Sequence, residues 1–373
     1  MEFLLEGIKN ITWQQAVMYA VGIILIILAI KKNLEPSLLL PMGFGAIIVN
    51  LPLSGVINQG SGENEVVGAI QWLFETGIGA SEILPLLLFI GIGAMIDFGP
   101  LLSNPKLIFI GAAAQFGIFF TMVVASACGF DIHDAASIGI IGAADGPTSI
   151  LVSQVLKSKY VGAIAVAAYC YMALVPMIQP IVIKSLTTKK ERRIKMEYNP
   201  KSVSKATKII FPIVVTIIAG LIAPASVSLV GFLMFGNLIR ECGVLDSLSN
   251  TASNILSNLI TLLLGITISF SMKAEEFVTP ETLMIIGLGL VAFVFDTFGG
   301  VMFVKFLNLF SKKKINPMVG AAGISAFPMA SRVVQKLGVQ EDPTNHLLMH
   351  AASANVAGQI ASVVAGGVIL GLL

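Results

Sequence analysis

From Tyr160 to Ile183 the chain reads YVGAIAVAAYCYMALVPMIQPIVI, twenty-four residues without one charge. A helix needs about 20 such residues to cross a hydrocarbon core. Ala16–Ile30, Leu107–Cys128 and Leu283–Phe310 are runs of the same kind. They predict an all-α polytopic membrane protein. A soluble chain of 373 residues could bury a core, but its surface would need more charge than this chain carries. Only 12% of the residues are charged, against about 25% in soluble domains, and the mean hydropathy is +0.90. Glu2 and Glu6 ahead of the first run, with Lys31 and Lys32 after it, do not make a cleavable signal peptide. Cys128, Cys170 and Cys242 follow no metal spacing and read as small packing residues. His346 and His350, four apart near a membrane edge, are weak evidence for a metal.

The distribution of basic residues orients the spans. Lys184–Lys208 holds nine Lys/Arg against two Glu, which marks it as a cytoplasmic linker. It divides an N-terminal membrane repeat, 1–183, from a C-terminal one, 209–373. Working backwards, Asp131 and Asp134 fall outside, Lys106 inside, the acidic stretch Ser61–Glu82 outside, and Lys31 and Lys32 inside. Working forwards, Ile209–Ala223 runs outward and Ser228–Ile239 returns to Arg240. Leu259–Phe270 then goes out, and Leu283–Phe310 brings Lys312, Lys313 and Lys314 to the cytoplasm. The alternation closes only if Ile138–Val155 and Asn316–Gln335 each enter and leave on one side. Lys157 and Lys159, which land outside, are the misfit.

Leu86–Gly111 lies over Leu262–Gly287 at a shift of 176 residues, with Pro105 and Pro280 one position apart in that register. Gly-Ala-Ala at 142–144 recurs at 320–322, a shift of 178. Apolar segments resemble one another by chance, but matching prolines and tripeptides at nearly one offset point to a duplication. The topology gives the copies opposite orientation: two inverted repeats, each of about five transmembrane helices and one broken or re-entrant segment. Such repeats hold ion sites near the midplane in secondary transporters. Irregular backbone at that depth requires surrounding protein or a water-filled cavity. Gly142, Gly146 and Pro147 break one segment; Gly320, Gly323 and Pro328 break the other.

Asp145 stands in the first break, flanked by apolar sequence. A carboxylate there costs several kcal/mol unless it is paired, protonated or bound to a cation. It can cap the helix that begins at Pro147 or serve a cation or proton, and the cost of burial favours the second. Thr148 and Ser149 add oxygens beside it. The second break offers Asn316, Ser325, Ser331 and carbonyls freed near Gly320 and Gly323. All are oxygen donors, which suit a hard cation such as Na⁺, although small serines also serve helix packing. Arg332 keeps its charge at any working pH; it either snorkels to the membrane surface or meets an anionic group. Tyr169 and Tyr171 share one apolar helix, Asp296 is a further intramembrane acid, and Asn355 and Gln359, one turn apart, are placed to line the same cavity.

GAADGPTSI, GAIAVAAYCYMALVPMIQP, KINPMVGAAGISAFPMASRVVQ and LLMHAASANVAGQIAS resemble the membrane β subunit of biotin-dependent, sodium-pumping decarboxylases. That family acts on oxaloacetate, methylmalonyl-CoA, glutaconyl-CoA or malonate. The resemblance runs from about residue 20 to the C-terminus; Ala143 stands where some members carry glycine. It implies a multi-pass protein of the bacterial inner membrane that decarboxylates carboxybiotin carried by a partner, consuming a proton and exporting Na⁺. Expected partners are a biotin carrier subunit, a carboxyltransferase subunit and a small membrane-anchor subunit in an oligomeric complex. The family's functional residues correspond to Asp145, Tyr171, Asn316, Gly320, Ser325, Arg332 and Asn355. On that basis Asp145, Asn316, Gly320 and Ser325 are expected at Na⁺, Tyr171 as ligand or proton donor, and Arg332 and Asn355 toward carboxybiotin. The competing expectation is a Na⁺-coupled carboxylate carrier without decarboxylase chemistry.

Overall fold

The computed structural model describes residues 10–32, 35–59, 66–80, 82–196 and 203–373. Glu2, Glu6, Glu63 and Glu65, and residues 197–202 of the basic linker, lie outside them. Among the described residues the chain is helical, and the only β pairing is an isolated bridge between Gln59 and Val66. Seven helices are long and apolar enough to cross a membrane, or eight if the bent pair Ala69–Gly79 and Ile83–Met95 counts as one.

The first half contains α1 (Trp13–Lys32), α2 (Pro36–Val49) and α3 (Ile83–Met95). The span Pro105–Ala127 follows, interrupted by a turn at Gln115 between α4 (Ile108–Ala114) and α5 (Phe116–Ala127). Then come α6 (Ile132–Gly139), α7 (Gly146–Val155) and α8 (Val161–Leu186). The short α9 (Lys189–Arg192) begins the linker. The second half contains α10 (Lys205–Ile222), α11 (Val227–Glu241), α12 (Ser257–Ile268) and α13 (Pro280–Phe310). It ends with α14 (Met318–Ala321), α15 (Met329–Glu341) and α16 (Leu348–Leu372). The 31-residue α13 starts cleanly, with the Thr279 hydroxyl accepting the Thr282 N–H and Pro280 in the first turn, where its missing donor costs nothing. Ser228–Ile239, expected as a crossing, forms α11, which is only 15 residues long.

Lipid is no worse a solvent for Leu than another Leu is, so helix association must come from close packing and polar contacts. Small residues supply the closeness. A Cβ on Gly93 would lie 1.9 Å from the Leu233 carbonyl oxygen, and one on Gly236 2.0 Å from that of Ile90. These contacts join α3 to α11, while α2 packs on α12. In the same way α8 packs on α13 and α16 on α4. The helices α8 and α16 are the most buried spans, and α10 is mostly exposed.

Two elements interrupt their own helices. The Asp131 carboxylate caps α6 by accepting the His133 N–H, and the chain tightens into a 3₁₀ turn at Ile140–Ala143. Ala144 then takes a left-handed conformation (φ 51°) and Asp145 an extended one, before Gly146-Pro147 opens α7. Proline cannot continue a helix from the preceding turn, and left-handed backbone costs an alanine about 1–2 kcal/mol. The second break lies between α14 and α15. Its carbonyls are met by side-chain amides: Gln179 Nε2 donates to Ala321 O (2.7 Å), Gln115 Nε2 to Gly323 O (3.4 Å), and Asn355 Nδ2 to Ile324 O (2.6 Å). The two breaks touch, with the Ser325 N–H donating to Ala143 O at 3.1 Å.

The described part of the linker is fastened to the end of α15. Arg192 pairs with Glu341 at 2.7 Å and donates to Thr187 O, while Asn345 Nδ2 donates to Arg192 O at 3.0 Å.

Candidate functional site

Where the breaks meet, a cavity of about 240 Å³ reaches Asp145. Its walls include Asp145, Tyr169, Ser325 and Gln359, and Ser257, Asn258 and Thr261 line its α12 side. Glu35, at the start of α2, also lines it. The break in the first segment delivers Asp145 here: the left-handed Ala144 turns the chain, and the carboxylate projects instead of following a helix face. Asp145 is only 4% exposed. Its Oδ2 accepts the Thr148 hydroxyl at 2.6 Å and the Gln359 amide at 3.0 Å. No Lys, Arg or His among the described residues forms an ion pair with it. Hydrogen bonds from neutral donors orient a buried carboxylate but leave its charge unbalanced, which suits a cation. Its carboxylate is turned toward the Thr148 side chain and Gln359 and forms no regular N-cap of α7.

Ser325 lines the cavity and donates its hydroxyl to Gly358 O at 3.1 Å, leaving both oxygen lone pairs for another partner. Tyr169 is 2% exposed, its hydroxyl has no partner among the described residues, and its ring fills the space that a side chain on Gly146 would need. The donor set is entirely oxygen, and it fits a hard monovalent cation better than a soft or transition metal.

The other expected residues lie elsewhere. Asn316 is fully buried but does not line the cavity; its Nδ2 donates to Arg192 O (2.9 Å) and Ile194 O (2.8 Å), and its Oδ1 accepts the Met318 N–H. It ties the linker to α14. Gly320 is a crossing point: a Cβ there would lie 2.1 Å from Gly300 O of α13. Its carbonyl already accepts the Gly323 N–H. Tyr171 faces α13, donating to Ile286 O at 2.5 Å, so of the two tyrosines Tyr169 is the one at the cavity. Asn355 serves Ile324 O. Arg332 is exposed one turn beyond the cavity-lining Pro328, with no ion pair among the described residues.

Glu35 is the residue the sequence did not single out. Burial pushes its carboxyl up from the usual range, against the opposing pull of the Arg332 guanidinium. An acid just after Lys31 and Lys32 reads as an ordinary interfacial charge, and only the folded chain sets it on the wall of the Asp145 cavity. Gln359 was expected to line a cavity with Asn355, and it alone does so.

The chain matches the family described as "Na+-transporting oxaloacetate decarboxylase beta subunit" over residues 14–373. It is 50% identical to the methylmalonyl-CoA decarboxylase subunit beta of Propionigenium modestum, covering 98% of this chain and 96% of that one. Identity to the glutaconyl-CoA decarboxylase subunit beta of Acidaminococcus fermentans is 48%, over 99% and 96%. Identity to a probable oxaloacetate decarboxylase beta chain of Vibrio cholerae is 43%, over 98% and 96%. With seven apolar spans among the described residues and a family match over residues 14–373, this multi-pass membrane protein belongs to the family of Na⁺-transporting decarboxylase beta subunits.

Proposed function

We propose that this chain, as the membrane subunit of a sodium-translocating decarboxylase, exports Na⁺ through the Asp145 cavity while carboxybiotin on a partner subunit loses CO₂. The observation that carries the reading is a buried carboxylate without a cationic partner, placed where two broken segments touch. Asp145 and Ser325 bind the cation, and Thr148 and Gln359 hold the carboxylate in position. Asn316 and Gly320 act at one remove, by fixing the path of the second break. Arg332, exposed beyond Pro328, receives the carboxylate of carboxybiotin, and Tyr169 or Tyr171 offers a hydroxyl for the proton that decarboxylation consumes.

Access alternates between the two sides by movement of two inverted repeats. The reciprocal packing supports that architecture. The sequence register pairs α3 with α12, and chain order pairs α2 with α11, so α3 on α11 and α2 on α12 are one contact seen twice. The pairs α8 on α13 and α16 on α4 exchange likewise. Export of one charge against about 100 mV costs ~2.3 kcal/mol. Only ligands that bind the two states differently can tie CO₂ loss to that movement. The partners are a biotin carrier, a carboxyltransferase and a small anchor subunit in an oligomeric complex.

The test is biotin-dependent, avidin-sensitive uptake of radioactive Na⁺ by vesicles containing the purified complex. Asp145→Asn abolishes Na⁺-stimulated decarboxylation and uptake while the complex still assembles. Normal Na⁺ activation in that variant refutes the assignment. Na⁺ uptake driven by a carboxylate gradient, without the biotinyl partner, would instead establish the carrier.

A further inference from the structure

The outer face of α13, near the end that leads to Lys312, Lys313 and Lys314, carries two adjoining hollows separate from the Asp145 cavity. One, of about 580 Å³, is a groove between α13 and the interrupted span α4–α5. It is lined by Ala112, Ala113, Phe116, Phe119 and Phe298, with Met302 and Phe306 at its end. The other, of about 650 Å³, is walled by Lys190, Glu191, Lys305 and Lys314 over Leu309. Met302 and Phe306 line both, so the two hollows form one depression, apolar along its length and cationic at one end.

The charge at that end is not internally balanced. Lys305 pairs with Glu191 at 3.1 Å and donates to Leu186 O. Lys190 and Lys314 have no ion pair among the described residues, which leaves two unpaired ammonium groups above an apolar floor. Phe306 and Leu309 beside them are 55% and 77% exposed. Along α13 the depression runs from Phe298 to Leu309, eleven residues and a rise of about 16 Å. The depression therefore reaches as deep as one leaflet of a hydrocarbon core about 30 Å thick.

We propose that this depression binds one anionic phospholipid, with its phosphate on Lys190 and Lys314 and an acyl chain in the groove along α13. Basic pockets between transmembrane helices are suited to such head groups. A helix from another protein would meet the apolar groove but would leave the two ammonium groups unanswered. A zwitterionic lipid would fill the groove with no net attraction at its mouth. The head group would bridge α9 of the linker to the chain that follows α13.

The experiment titrates the purified full-length complex in neutral detergent with phosphatidylglycerol or phosphatidylcholine and counts retained lipids by native mass spectrometry. The wild type prefers phosphatidylglycerol by about thirtyfold, roughly fivefold for each lysine near the surface. Lys190→Gln with Lys314→Gln removes the preference and leaves phosphatidylcholine binding unchanged. Met302→Trp, which fills the groove, weakens both lipids. Inorganic phosphate at millimolar concentration does not displace the lipid. If the double variant fails to fold, Lys314→Gln alone carries the test with a fivefold loss. Equal retention of the two lipids by the wild type overturns the proposal, as does undiminished phosphatidylglycerol on the folded lysine variant. A photoreactive benzoylphenylalanine at position 302 that cross-links to a partner polypeptide instead of lipid overturns it as well.

Discussion

Asn316 donates both amide hydrogens to linker carbonyls, whereas Ser325, nine residues on, holds its hydroxyl at the wall of the Asp145 cavity. Substitution should separate these duties. Ser325→Ala removes an oxygen from the proposed cation set, and the Na⁺ concentration for half-activation rises about five- to tenfold, the effect of ~1–1.4 kcal/mol. Asn316→Ala takes a donor from Ile194 O and the acceptor from the Met318 N–H, while Arg192 O keeps Asn345, and it lowers the unfolding free energy by about 1–3 kcal/mol. Its Na⁺ requirement changes less than that of Ser325→Ala. Na⁺ titrations and thermal melts of both variants check this. Asp97 gives a pH-dependent counterpart: burial raises its carboxyl, but the Gly99 N–H and Lys208 together hold it below the usual carboxylate range. Its contribution is present above the unfolded value of about 3.9 and is lost as pH falls through the lower folded value. Asp97→Asn therefore melts earlier at pH 7, by no more than about 1 kcal/mol for such a partly exposed pair. The difference from wild type begins to shrink below about pH 4 and closes only below the lowered folded value. Asp145 was legible because an acid in apolar sequence has few other uses. Tyr169 and Tyr171 were not separable, since residues two apart on a helix face about 200° from each other and sequence does not say which side meets the cavity.

At the scale of elements, the breaks announce themselves through Pro147 and Pro328, but their backbone geometry does not. No residue rule places Ala144 in the left-handed region; it is held there by Pro147 after it and the Ser325 contact beside it. Ala144→Gly relieves about 1–2 kcal/mol of strain and returns up to ~1 kcal/mol through the freer unfolded chain, so the melt moves upward slightly. The crossing of α13 with α14 is less tolerant. On Gly300 a Cβ would sit 2.1 Å from Gly320 O, a distance that side-chain rearrangement cannot relieve because the backbone fixes the Cβ and the oxygen is itself backbone. Gly300→Ala forces the helices apart and costs about 1–3 kcal/mol or more, read as a lower melt or loss of the assembled complex. The long spans were legible by hydropathy alone. The linker's attachment to α15 was not, because it depends on where Glu341, Asn316 and Asn345 arrive after the four helices α10 to α13.

For the whole molecule, the proposed inverted repeat makes a claim about sides. In a background without the native cysteines, Asp131→Cys labels from outside the cell and Lys313→Cys only from within. Labelling of both from one side would break the repeat reading. The duplication could be suspected from one shifted register because copied helices keep their prolines, while their partners in space carry no such mark. The amides around the second break add a consequence of another kind. Gln115, Gln179 and Asn355 each spend a hydrogen on a carbonyl and leave an oxygen without a partner among the described residues, as does Asp296. A cation that entered here would meet oxygens already open to it on Gln115, Gln179 and Asn355, whereas an anion would meet the Tyr169 hydroxyl, unpartnered among the described residues, and would have to face those same oxygens.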